Sequence, residues 1–175
     1  MSVSLIGDSV FDNGPYLRHG EPNAAAVIQE RLQCDVQCVA VDGAMLRHML
    51  HQVAWHDTII ISGGGNDALA FVHRFDPFFL YKFWRDVGRV LDAFSGPGKR
   101  VAMCQIYRPR WRWLGCLVHI PNLIIRIQAG RRNIATIDNY SLFNEDSDFA
   151  NDIEPSVKGS RKLAVAIETF IQRSV

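Results

Sequence analysis

Apolar and polar positions along this chain switch repeatedly between a strand period and a helix period. The run Val3-Ser4-Leu5-Ile6 stops on Gly7-Asp8-Ser9, and Thr58-Ile59-Ile60-Ile61-Ser62 stops as abruptly on Gly63-Gly64-Gly65-Asn66-Asp67. Short apolar runs closed by Gly and Asp read as buried strands that release a tight polar loop. Residues 36–41 form a second such run, ending on Asp42-Gly43, and residues 100–106 and 134–137 supply strands four and five. Between the strands the period changes to 3.6. Pro22 opens a helix carrying Ala24, Val27, Ile28 and Leu32, and Met45, Leu46, Met49, Leu50 and Val53 recur as a second. Residues 77–94 predict a longer helix with Phe79, Phe83, Val87 and Leu91 on one face, closed by Gly96-Pro97-Gly98. Pro155, with Ser156 as N-cap, introduces a last helix over about 158–172. Strands alternating with helices at this spacing predict an α/β domain of three layers, α/β/α, built on a five-stranded parallel sheet and spanning residues 1–175.

Composition narrows the function classes. At 175 residues, with 48% hydrophobic and 21% charged positions, the chain buries a proper core as one globular domain. A net charge of +1 with dispersed basic residues argues against a nucleic-acid partner. Cys34, Cys38, Cys104 and Cys116 lack zinc-type spacing. Three of them lie in apolar runs, where a thiol behaves as a small buried hydrophobe, and four free thiols suit a reducing compartment. The first residues enter a core strand without a leader pattern, and no apolar stretch is long enough for stable membrane insertion, so the expected location is cytoplasmic.

One segment does not fit the alternation. Tyr107-Arg108-Pro109-Arg110-Trp111-Arg112-Trp113 precedes an apolar stretch over 114–127 that is broken by Pro121. Interleaved Arg and Trp suit a membrane surface or an anionic ligand. The plainer reading is a crossover helix whose leading loop folds over the sheet rim. That loop follows strand four and overhangs Ser9, which makes it the candidate lid or acyl-pocket wall, with Tyr107, Arg108 and Trp111 as candidate substrate contacts.

In open α/β sheets ligands sit beyond the carboxyl ends of the strands. Ser9 and Asn66 place a hydroxyl and a carboxamide at that edge, the beginnings of an acyl-transfer site. Gly7-Asp8-Ser9, Gly43 after strand two, Gly64-Gly65-Asn66-Asp67 after strand three and the segment Asn151-Asp152-Ile153-Glu154-Pro155-Ser156-Val157-Lys158-Gly159 resemble, in order and spacing, blocks I, II, III and V of the SGNH/GDSL hydrolase family. The resemblance spans nearly the whole chain. It implies a flavodoxin-like sheet and a small-molecule acyl ester as substrate, with neither metal nor organic cofactor. Ser9 would be the nucleophile. Its N–H, the Gly43 N–H and the Asn66 side-chain amide would form the oxyanion hole. Each residue also has a structural reading: a turn or N-cap serine, a turn glycine, an asparagine bonded to local backbone. Asp8 and Asp67 stand at the same edge, either touching substrate or tying the loops together through backbone N–H groups.

Block V departs from the family pattern, Asp-x-x-His-Pro-x-x-x-Gly. Glu154 occupies the histidine slot and Asn151 the aspartate slot, while Asp152 lies one position off and Pro155 and Gly159 keep the register. Three outcomes follow. Glu154 serves as base to Ser9, needing no third residue to set a tautomer. Alternatively one of His48, His51, His73 and His119 takes over. Or catalysis is lost and the cleft only binds a ligand. An acyltransferase using an alcohol in place of water would look the same in sequence.

Overall fold

The computed structural model describes residues 2–110 and 112–173. Strands β1 (Ser2–Ile6), β2 (Asp35–Cys38), β3 (Thr58–Ser62), β4 (Arg100–Cys104) and β5 (Ala135–Ile137) form one parallel sheet in the order β2-β1-β3-β4-β5. Seven α-helices accompany them among the described residues: α1 (Ala24–Leu32), α2 (Leu46–Met49), α3 (Gly65–His73), α4 (Phe79–Phe94), α5 (His119–Gly130), α6 (Asn139–Leu142) and α7 (Val157–Arg173). No helix among the described residues is long and apolar enough to cross a membrane.

Both sheet faces are covered, which is why the strands read as continuous apolar runs. Side chains alternate across the pleat. Val3, Leu5 and Ile60 pack with Val27, Ile28, Leu163 and Ile167 on one side. Ile6, Ile59 and Ile61 pack with Leu46, Met49, Phe83, Val87, Leu91 and Ile125 on the other. The helix stripes match: Phe83, Val87, Val90, Leu91 and Phe94 are the buried apolar face of α4, at spacings of three and four. Ser4 would leave a polar group inside β1. Its hydroxyl instead donates to Gln37 Oε1 at 2.6 Å and accepts the N–H groups of Trp55 and His56, each at 3.1 Å.

The strand edge that carries the site is held by close approach. Gly7 has φ +151°, and a Cβ there would lie 2.2 Å from the Ser62 carbonyl oxygen on the neighbouring strand. Gln52 clasps the same residue, accepting its N–H at 2.7 Å and donating to its carbonyl at 2.8 Å. Gly7→Ala is therefore expected to cost about 2–4 kcal/mol by forcing β1 and β3 apart, read as a drop in the urea midpoint. An unchanged midpoint would show that the strands separate freely.

Several elements differ from the sequence reading. The helix expected over 45–53 stops at Met49, because the chain must turn for Gln52 to reach Gly7, and this leaves Val53 exposed. The second strand ends at Cys38 instead of 41, although the Val39 and Val41 N–H groups still donate to Leu5 and Gly7 carbonyls. The fourth ends at Cys104, and Asn122 takes over Ile106, accepting its N–H at 2.7 Å and donating to its carbonyl at 2.8 Å. Helix α3 was not anticipated. Its start is the glycine run, where Gly64 adopts φ +98° as the cap. Only Cys104 of the four thiols is buried, and Cys38 and Cys116 are exposed, against the expectation from their apolar neighbours.

Candidate active site

Loops at the carboxyl edge of the sheet surround one cavity of about 60 Å³, lined directly by those after β1, β3 and β4 and the one before α7, through Asp8, Ser9, Asn66, Tyr107, Leu117 and Glu154 among others. The first loop follows β1. The Asp8 carbonyl accepts the N–H groups of Phe11 and Asp12, and its Oδ1 accepts the Val10 N–H at 3.2 Å and the Ser62 hydroxyl at 3.3 Å. This winds residues 8–12 into a tight turn with Ser9 at its apex, buried to 6% exposure. The Ser9 N–H has no acceptor among the described residues.

The second and third loops follow β2 and β3. Gly43 adopts φ +73°, a left-handed turn that favours glycine, and its N–H too has no acceptor among the described residues. Asn66 sits on the first turn of α3 and donates through Nδ2 to the Ala44 carbonyl at 3.1 Å. A carboxamide nitrogen carries two N–H bonds, so one is left for a ligand. Ser9 and Asn66 bound the cavity directly. Gly43 does not, but it adjoins the Ala44 carbonyl that fixes the Asn66 amide. Asp67 accepts the Leu46 N–H at 3.0 Å and lies outside the cavity lining, so it joins α3 to α2 and does not stand where a substrate contact was expected.

The fourth loop, before α7, carries Glu154. Phe149 and Pro155 form an isolated antiparallel bridge, and the Ala150 N–H donates to the Glu154 carbonyl at 2.8 Å. Asn13, wholly buried, donates to the Pro155 carbonyl at 2.8 Å. Tyr107 donates its hydroxyl to the Ile153 carbonyl. Asn151 has a further use that its slot in the motif did not disclose. Its Oδ1 accepts the N–H groups of Ile153 at 2.9 Å and Glu154 at 2.8 Å, closing an Asx turn that points Glu154 inward.

Two carboxyls thus flank Ser9. Burial raises the pKa of Glu154 above the ordinary value, and the Ser9 hydroxyl beside it, as a hydrogen-bond donor, opposes the rise. Glu154 Oε2 is buried without a hydrogen-bond partner among the described residues. Asp8 is pushed up to about 7, chiefly by burial, with the Glu154 charge adding to it and the Val10 N–H and Ser62 hydroxyl pulling it back. Burial, reinforced by Glu154 and Asp8, holds the Tyr107 phenol well above 10, so it stays a neutral donor.

The histidines are elsewhere. His48 accepts the Met45 N–H at 3.2 Å at the start of α2, His119 meets the Tyr140 hydroxyl at 3.3 Å, and His51 and His73 are exposed. None lines the cavity. Among the described residues no group of three or more His, Cys, Asp or Glu side chains is placed to hold a metal ion. The segment after β4 does form a wall, through Tyr107, Pro109, Leu117 and Val118. Arg108 packs beside Gly115 and not on the cavity, and Trp111 lies outside the described residues. Leu117 and Val118 were missed because an apolar run carries no mark of which members face a ligand.

No protein-family model matches the chain, and neither does any curated protein. Solved structures do. A lipase/acylhydrolase from Enterococcus faecalis superimposes with a TM-score of 0.78 at 17% identity, covering 98% of this chain and 96% of that one. The acetyl xylan esterase AlAXEase gives 0.78 at 18% identity, with 97% and 98% covered. A member of the lipolytic G-D-S-L family from Veillonella parvula gives 0.75 at 17% identity, with 99% of each chain covered. End-to-end superposition at this identity is a statement about architecture: the chain has the α/β fold of the SGNH/GDSL lipases and esterases.

Proposed function

We propose that this protein is a serine esterase that cleaves a small-molecule acyl ester through an acyl-enzyme on Ser9, with Glu154 as its base. The observation that carries the reading is the pairing of Ser9 with a buried carboxyl, in a cavity that Asn66 also lines. Ser9 Oγ attacks the acyl carbon as its proton passes to Glu154. The oxygen that becomes negative is met by the Ser9 N–H and the free N–H of Asn66, whose amide is fixed by the Ala44 carbonyl on the turn that Gly43 opens. Collapse breaks the bond to the leaving alkoxide, which takes the proton back from Glu154. Water then attacks the acyl-serine, loses its proton to the same carboxylate and releases the acid, and the proton returns to Ser9. Desolvation makes the carboxylate a stronger base than an exposed glutamate, and a carboxylate has no tautomer for a third residue to set. That accounts for a motif in which Asn151, a backbone acceptor, stands where the family has an aspartate.

A fluorophosphonate is expected to label Ser9 stoichiometrically, and p-nitrophenyl acetate to be hydrolysed. Asn66→Ala should lower kcat by roughly 10²–10³ through loss of an oxyanion donor. A protein that is folded, unlabelled and inactive on the ester would instead be a binding protein on this scaffold.

A further inference from the structure

Charge and exposed apolar surface are divided unequally in this molecule. Residues 71–132 carry 12 Lys and Arg against 3 Asp and Glu, whereas the remainder of the chain carries 7 against 15. The same segment holds 9 of the 14 large hydrophobic side chains that are exposed among the described residues. Helices α4 and α5 within it pack on one side of the sheet, through Phe83, Val87, Leu91, Ile124 and Ile125.

Helix α5 is apolar on two faces. Pro121, Ile124, Ile125 and Ala129 are buried, while Ile120, Leu123 and Ile127, at spacings of three and four, form an outward stripe between 41% and 53% exposed. Leu80 and Tyr81 on α4 are exposed as well, and the Arg131 guanidinium lies 5.8 Å from the Trp84 ring, bridging the two helices. A helix apolar all round belongs inside a covered surface. Cations frame the stripe. The three carboxylates of the segment are each held by a neighbouring cation: Asp76 by Lys82 at 2.7 Å, Asp86 by Arg85 at 2.8 Å and Asp92 by Arg132 at 2.6 Å. Arg89 and Arg126, both exposed, have no carboxylate partner among the described residues.

Charge complementarity selects what covers this face. Its partner is anionic and also takes up aliphatic side chains. A polynucleotide meets the first demand and leaves Ile120, Leu123 and Ile127 in water. A second copy of the face meets the second and sets cation against cation. A bilayer with anionic headgroups above a hydrocarbon layer meets both. The acidic remainder of the protein is repelled by the same bilayer, which fixes one orientation.

We propose that the outer face of α4 and α5 docks this protein reversibly on an anionic lipid surface, with Ile120, Leu123 and Ile127 in the headgroup boundary and Arg89, Arg126 and Arg131 against lipid phosphates. The docking does not depend on the esterase reading.

The test sediments the full chain with vesicles of phosphatidylcholine alone and of phosphatidylcholine with about one third phosphatidylserine, in about 0.1 M salt. Each Lys or Arg near such a surface strengthens binding roughly fivefold, so wild type is expected to prefer the anionic vesicles by at least about tenfold. Raising the salt to about 0.5 M should release it. Arg89→Glu/Arg126→Glu should abolish the preference, and Leu123→Ser/Ile127→Ser should weaken anionic-vesicle binding at least about fivefold. All four positions are exposed, and thermal unfolding checks that each variant is folded. Should one fail to fold, the other variant and the salt dependence decide. No sedimentation of wild type, no preference for anionic vesicles, or full binding in a folded double variant overturns the proposal. A gel shift of duplex oligonucleotide without vesicle binding would assign the face to nucleic acid instead. A dimer that Leu123→Ser/Ile127→Ser dissociates, again without vesicle binding, would assign it to a second copy.

Discussion

Glu154→Gln is expected to lower kcat on p-nitrophenyl acetate by about 10³–10⁴, as much as a positioned general base contributes, while the protein remains folded. Glutamine keeps the size of the side chain. The elements that aim residue 154, the Asn151 turn and the Phe149–Pro155 bridge, act through backbone and are untouched by the change. What is removed is the ability to accept the Ser9 proton, and no histidine lining the cavity can replace it. Thermal unfolding should show a variant no less stable than wild type, since a buried carboxyl is replaced by a neutral amide. The pH profile supplies a second reading. Turnover needs the ionised carboxylate, so kcat/KM should rise with pH through the Glu154 pKa. Burial places that limb above the ordinary glutamate range. Retention of wild-type turnover in Glu154→Gln would remove Glu154 from the chemistry.

The sheet was legible in sequence because both of its faces are buried. Thr58-Ile59-Ile60-Ile61-Ser62 reads as a strand without knowledge of its partners, and its observed limits are the same. Helices with a single buried stripe were equally plain, as α4 and α7 show. Elements whose shape depends on a distant contact were not. The short α2 follows from Gln52 reaching Gly7 across 45 positions, and the strand-like hold on Ile106 comes from Asn122 on another helix. Neither contact has a local signature. The site divides in the same way. Ser9, Asn66 and Glu154 stand in motif slots and were readable as candidates. The work of Asn151 was not, because it looks like a lost carboxylate until the two N–H groups it accepts are seen. The segment after β4, read as a candidate pocket wall, touches the cavity through Tyr107, Pro109, Leu117 and Val118, and which members of its apolar run would do so had no mark in the sequence.

The protein is expected to lose stability as pH rises from about 5 to about 8.5, and Asp8→Asn to remove much of that loss. In the folded chain Asp8 is raised from 3.8 to about 7, so the native state holds its proton more tightly than the unfolded chain does. Its contribution is therefore fully present below the unfolded value and disappears as pH climbs through about 7. A shift of this size corresponds to on the order of 4 kcal/mol at most. Glu154 and Asp67, also raised by burial, act with the same sign, which is why the variant should flatten the dependence without abolishing it. Asparagine retains an Oδ1 for the Val10 N–H and the Ser62 hydroxyl, so the turn that presents Ser9 should survive. Urea unfolding of both proteins at pH 5 and 8.5 measures the difference. Parallel behaviour of wild type and variant would mean that Asp8 is not the proton-binding group. The protonated Asp8 also has a chemical consequence. While it is neutral, Glu154 is the one carboxylate charge beside Ser9 in the cavity. Ionising Asp8 would set a second charge against it and strengthen Glu154 as a base, at the expense of the fold that holds it.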